Sequence, residues 1–281
     1  MKFWIKALAA AIIAAPALAE NGATLREATE GLAGFTVIRP AELSGYEANS
    51  LPVMIWANGG CRSSHFSRIA YLTGVAQAGY VVVAVGAPDD TSDEGGPEQP
   101  ARIIAALDWL NSTEAATQLD GKLDTEAVTA SGTSCGGLEA LLAAKDDRVT
   151  SVLALNSGFF PEGVPGREGR VDIRELAAVH VPTLIFNGGP EDIAHDNSIL
   201  NFEQIDAPAL LVSLEGVGHS GLTLGLENNS PSATALFKGI RLTTDWLDFT
   251  LKGDEAAGAR FLAESCAYCG TDGWSIRAKG F

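Results

Sequence analysis

The chain reads Gly132-Thr133-Ser134-Cys135-Gly136-Gly137 and then, without a break, Leu138-Glu139-Ala140-Leu141-Leu142. An apolar run, Ala127 to Ala130, precedes this stretch, and the leucines that follow recur at helical intervals. The pattern is G-x-S-x-G between a strand and a helix. Such a turn is sharp and strained, and residues flanking the serine without side chains let strand and helix approach closely. Ser134 is therefore expected to stand above a sheet at a helix N-terminus, where the helix dipole favours developing negative charge. The segment is not a dinucleotide fingerprint, because G-x-G-x-x-G fails at Ser134. Without partners, it would be an ordinary glycine-rich connection.

Outward from this turn, short β-branched runs alternate with segments of helical period. Strands are expected at Phe35 to Ile38, Val53 to Ala57, Tyr80 to Val85, Ala127 to Ala130, Ser151 to Leu155, Thr183 to Phe186 and Ala209 to Ser213. Most are continuously apolar, as strands covered on both faces are. Helices are expected at Ile69 to Ala78, Ala101 to Leu110, Gly137 to Ala144, Asn197 to Ile205 and Thr234 to Leu251. The fold class is α/β: one doubly wound domain, a mostly parallel twisted sheet with helices on both faces. Pro88 to Pro100 and Phe160 to Arg170 read as surface loops, and residues 261–281 as a disulfide-bearing C-terminal extension without clear period.

A serine hydroxyl needs a base, and the base needs an orienting acid. Beyond the run Ala209 to Ser213, His219 lies in the Gly-flanked loop Gly216-Val217-Gly218-His219-Ser220-Gly221. His65, His180 and His195 fit the role less well. Between serine and histidine, the run Pro182 to Asn187 leads through Gly188-Gly189-Pro190 to Glu191 and Asp192. Asp192 is the expected acid and Glu191 its alternative. The oxyanion of a tetrahedral intermediate would take the backbone N–H of Cys135 and a second one from the Asn58-Gly59-Gly60-Cys61 loop, at Gly60 or Cys61. Two amides aimed at one oxygen bring Cys61 and Cys135 within disulfide reach. The expected pairing is then Cys61 with Cys135 and Cys266 with Cys269. The alternatives are buried thiols for the first pair and zinc or redox chemistry for the C-x-x-C, which lacks a second C-x-x-C or a following histidine. Asn58 and Phe159 are expected to touch substrate, with Trp56, Phe66 and Phe160 as further apolar candidates.

The order Ser134, Asp192, His219 is that of α/β-hydrolases. Over residues 30–260 the chain resembles that superfamily, and within it the secreted dienelactone-hydrolase, chlorophyllase and cutinase-like esterase group. The residues that carry the resemblance are Ala57-Asn58-Gly59-Gly60-Cys61, Gly79-Tyr80-Val81-Val82-Val83-Ala84, Gly132-Thr133-Ser134-Cys135-Gly136-Gly137, Asp192-Ile193-Ala194 and Gly218-His219-Ser220-Gly221. Asn58 stands where many relatives carry histidine, and Ser134 where true dienelactone hydrolases carry cysteine. The resemblance implies an eight-stranded sheet and hydrolysis of a carboxylic ester, small or polymeric, with no metal and no organic cofactor. A peptidase or amidase on the same triad, or a binding protein that keeps the fold without chemistry, are the alternatives.

Length and composition agree with one large enzyme-sized core. The 281 residues are 46% hydrophobic and 19% charged, which excludes a disordered chain. A net charge of −16 repels a phosphate backbone, so nucleic acid is not an expected partner. Lys2 and Lys6 flank the start of an apolar run that ends at Ala17-Leu18-Ala19. Residues 1–19 read as a cleaved signal peptide, with 20–281 the mature domain, secreted or periplasmic and without a membrane anchor. An exported chain with four cysteines favours disulfides. A monomer is assumed.

Overall fold

The computed structural model describes residues 22–92, 94–160 and 173–281. The expected signal peptide and cleavage point lie outside these residues, as does most of the Phe160 to Arg170 loop.

The strands are β1 (Thr24–Ala28), β2 (Phe35–Pro40), β3 (Leu51–Ala57), β4 (Val81–Val85), β5 (Leu123–Thr133), β6 (Ser151–Leu155), β7 (Thr183–Asn187), β8 (Ala209–Leu214), the short pair β9 (Leu226–Glu227) and β10 (Ser230–Pro231), and β11 (Trp274–Lys279). Between them run α1 (Ile69–Gln77), α2 (Ala101–Leu110), α3 (Thr113–Gln118), α4 (Cys135–Ala143), α5 (His195–Gln204), α6 (Gly221–Leu224), α7 (Ala233–Leu251) and α8 (Glu255–Leu262).

Nine strands form one sheet in the order β1-β2-β4-β3-β5-β6-β7-β8-β11. The six from β4 to β8 are parallel, and β1, β2 and β11 run antiparallel at the flanks. All of β3 is buried, and its side chains alternate between two cores. Val53 and Ile55 join Val83, Val152 and Ile185 beneath α2, α4 and α5. Met54 and Trp56 join Val82, Leu153 and Phe186 beneath α1 and α7. Each such aliphatic side chain taken fully out of water contributes roughly 1.5–3 kcal/mol. The starts of α7 and α8 are fixed by capping side chains: Ser232 caps α7 by accepting from the Ala235 N–H, and Asp254 caps α8 by accepting from the N–H groups of Ala256 and Ala257.

Two expectations need correction. The sheet has nine strands rather than eight, and the C-terminal extension is not irregular throughout. Its last residues form β11, paired along the whole of β8 from Trp274 opposite Leu214 to Lys279 opposite Ala209. An edge strand is half exposed, so Trp274-Ser275-Ile276-Arg277-Ala278-Lys279 lacks the continuous apolar run of the covered strands. Ahead of it, Tyr268 packs against Phe261 and Trp274.

The disulfides are Cys61–Cys135 and Cys266–Cys269, with Cα atoms 5.2 and 5.1 Å apart. Two disulfides are the mark of an oxidising, non-cytosolic compartment. Among the described residues no helix is long and apolar enough to cross a membrane.

Candidate active site

Parallel pairing in register brings four strand ends level. Thr133 lies beside Leu155, Leu155 beside Phe186, and Asn187 beside Ser213. The residues that leave β5, β6, β7 and β8 therefore emerge side by side at the C-terminal edge of the sheet, where ligands bind in open α/β sheets.

Ser134 leaves β5 first and immediately caps α4. Its backbone sits at φ 53°, ψ −120°, a conformation L-residues adopt only under constraint. The constraint is visible on both sides. A Cβ on Gly132 would lie 2.4 Å from the carbonyl carbon of Gly136, and one on Gly136 would lie 2.1 Å from the Ala57 carbonyl oxygen. Side chains at either position would force β3, β5 and α4 apart. The Ser134 N–H donates to the Leu155 carbonyl at 2.8 Å, and the Ser157 hydroxyl donates to the Ser134 carbonyl at 2.7 Å.

His219, on the loop after β8, reaches Ser134 Oγ with Nε2 at 3.0 Å and Asp192 Oδ1 with Nδ1 at 2.6 Å. With Nδ1 donating to the carboxylate, Nε2 is left to accept the serine proton. Asp192, on the loop after β7, is only 3% exposed, whereas Glu191 is exposed. Four donors converge on the Asp192 carboxylate: His219, the N–H groups of Gly188 and Ala194 at 2.9 Å each, and Asn156 Nδ2 at 2.7 Å. Burial, the largest single influence, pushes its pKa up; the hydrogen bonds together outweigh it and hold the carboxyl below the ordinary aspartate value.

Asn156 escaped the sequence reading. It follows β6 at φ 50°, is fully buried, and donates through Nδ2 both to Asp192 and to the Gly218 carbonyl at 3.0 Å. It thus ties the acid loop to the histidine loop. The only signal in the sequence was an amide placed directly after an apolar strand next to the serine's own.

A cavity of about 250 Å³ opens onto these residues, lined by Ser134, His219, Gly60, Cys135, Phe160 and Ile193 among others. Cys135 is the first residue of α4, so its N–H has no intrahelical partner and emerges beside Ser134. Of the two candidates for the second oxyanion donor, Gly60 lines the cavity, while Cys61 is buried and bridged to Cys135.

Asn58 and Phe159, expected at the substrate, are not on the cavity wall. Asn58 accepts from Trp56 Nε1 and donates to the carbonyls of Val85 and Arg62, which uses its amide to brace the loop from behind. Phe159 is 1% exposed in the core, its backbone clasped by Asn201; Phe160 reaches the cavity in its place. Trp56 is core, Phe66 lies on the surface, and His65 is buried behind the loop, where burial chiefly lowers its pKa.

One group of metal-ligand residue types converges among the described residues. Ligand atoms of Cys61, Cys135 and Glu139 lie within 4.8 Å of one another, but both sulfurs are consumed by the disulfide. No protein-family model matches the chain, and neither does any curated protein.

Proposed function

We propose that the protein is a serine hydrolase of α/β-hydrolase type that cleaves carboxylic esters, small or polymeric, through an acyl-enzyme, and that it works as a secreted or periplasmic protein. The observation that carries this reading is the unbroken chain Ser134–His219–Asp192, at 3.0 and 2.6 Å, facing the cavity from a strained turn.

In this reading His219 Nε2 takes the Ser134 proton as Oγ attacks the acyl carbon, and returns it to the departing alkoxide. Asp192 keeps Nδ1 protonated and stabilises the imidazolium without itself taking the proton. The Cys135 and Gly60 amides hold the oxyanion at the positive end of α4. Water, activated by His219, attacks the acyl-enzyme and frees Ser134.

The test is hydrolysis of p-nitrophenyl esters of graded chain length by the wild type and by Ser134→Ala, with a serine-reactive phosphonate label located by mass spectrometry. The expected result is turnover that falls by roughly 10³-fold or more in the variant, with the label on Ser134. A folded wild type that neither turns over an ester nor takes the label would overturn the reading.

A further inference from the structure

The loop that carries the second oxyanion donor is held in a conformation it would not choose. Gly60 at φ 66° and Cys61 at φ 51° are consecutive left-handed residues, and only the first is a glycine. Every carbonyl from Gly59 to Arg62 is occupied. The Gly59 oxygen accepts from the Arg62 N–H and guanidinium, at 3.4 and 3.1 Å. The Gly60 oxygen accepts from the Gly96 N–H at 3.1 Å. Those of Cys61 and Arg62 both accept from Arg102, Nη2 at 3.2 Å and Nη1 at 3.3 Å. Because a trans peptide is planar, fixing a carbonyl fixes the following N–H in the opposite direction. By that rule the Gly59 and Gly60 carbonyls set the directions of the Gly60 and Cys61 amides, and Arg102, on the next two carbonyls, holds the two peptides that follow them.

Arg102 is itself aimed by Glu139. The Glu139 side chain is fully buried, and its Oε1 accepts from Arg102 Nη2 at 2.8 Å and from the Gln99 N–H at 2.6 Å. Glu139 lies four residues after Cys135 on α4, so disulfide and carboxylate share one helix face. That face grips the loop twice, covalently through Cys61 and electrostatically through Arg102.

We propose that Arg102, oriented by Glu139, is a positioning residue for the loop's oxyanion donor: its fork on the Cys61 and Arg62 carbonyls pins the peptides directly after the donor and so keeps the left-handed Gly60-Cys61 turn in the geometry that stabilises the tetrahedral intermediate. The proposal rests on the ester-hydrolase reading. Lysine cannot replace it fully, because a single ammonium lacks the planar fork that spans two carbonyls and a carboxylate.

Arg102→Met alone would strand the buried Glu139 charge and threaten folding, so the test pairs it with Glu139→Gln, which removes both charges and keeps an acceptor for Gln99. In the folded double variant, kcat is expected to fall roughly 10- to 100-fold with KM within about threefold, since a displaced donor loses much of what an absent one would. Inhibition by a trifluoromethyl ketone, which forms a tetrahedral adduct on Ser134, should weaken by the same factor as kcat/KM. Arg102→Lys should fall between, and amide hydrogen exchange over residues 59–62 should quicken at least tenfold in the double variant. An unchanged kcat, or kcat and KM moving together with exchange in the loop unaltered, overturns the proposal. Should the wild type itself hydrolyse no ester, that failure belongs to the enzymatic reading. The exchange experiment then decides the loop's dependence on Arg102 by itself: quickening supports it, and unaltered exchange refutes it.

Discussion

At the scale of single residues, Asp192 resolves a conflict between burial and charge. Burial pushes its pKa up, and four hydrogen bonds together outweigh that and hold it below the ordinary aspartate value. A carboxyl whose folded pKa is depressed stabilises the fold above its unfolded value, near 3.9, and that contribution drains away as pH falls through the lower folded value. Asp192→Asn lacks this titration and places an amide donor against N–H donors. Its deficit in unfolding midpoint against the wild type should therefore be full at pH 6 and shrink as pH falls below about 4. On the proposed ester-hydrolase reading, the same variant should lose kcat by about four orders of magnitude, because His219 Nδ1 loses the partner that fixes its tautomer. A deficit independent of pH, measured by thermal unfolding, would contradict the ionised assignment.

Among the elements, the disulfides are unequal in what they span. Cys61–Cys135 joins residues 74 positions apart, whereas Cys266–Cys269 joins residues only three apart. Chain entropy then assigns about 4 kcal/mol to the first and about 2 kcal/mol to the second. Replacing Cys61 and Cys135 by serine should lower the unfolding midpoint by roughly 10 °C, about twice the effect of replacing Cys266 and Cys269. Equal shifts would mean that the denatured chain holds this loop together without the bridge.

The elements also show what sequence can and cannot carry. Runs such as Val81 to Val85 and Ser151 to Leu155 were legible because both faces of the sheet are covered, which favours apolar side chains along nearly the whole strand. Thr24-Leu25-Arg26-Glu27-Ala28 and the final strand were not, because edge positions tolerate charge. The eight-residue α8 buries only Ala257, Gly258 and Phe261, too few apolar positions to stand out in the sequence. Within the candidate site, Ser134, Asp192 and His219 announced themselves by lying in glycine-flanked loops just after strands. Asn156, Arg102 and Glu139 act only through partners tens of residues away, and their local context is that of any strand end or helix. Asn58 misled for the same reason: its loop faces the cavity while its own amide turns behind it.

For the molecule as a whole, the two flanks of the sheet differ in what they guard. β11 covers the outer edge of β8, and the Glu215 N–H donates to the Gly273 carbonyl at 3.0 Å, which anchors the start of the histidine loop. Trp274 also packs against Phe186 and Tyr268. Ending the chain at Gly273 should expose the β8 edge, producing self-association visible by light scattering and a lower unfolding midpoint. A monodisperse, equally stable truncation would show that β8 needs no cover.

The span from Cys61 to Cys135 holds a further consequence. It contains the whole excursion from β3 out to β4 and back to β5, the crossovers that give the middle of the sheet its strand order. Non-local parallel pairing is slow because distant segments must meet before any contact rewards the search. With the bridge intact, a denatured chain keeps the ends of β3 and β5 tethered and begins renaturation with that search already shortened. Denaturant erases the sheet, but the sulfur link beside Ser134 retains a record of which strands were neighbours.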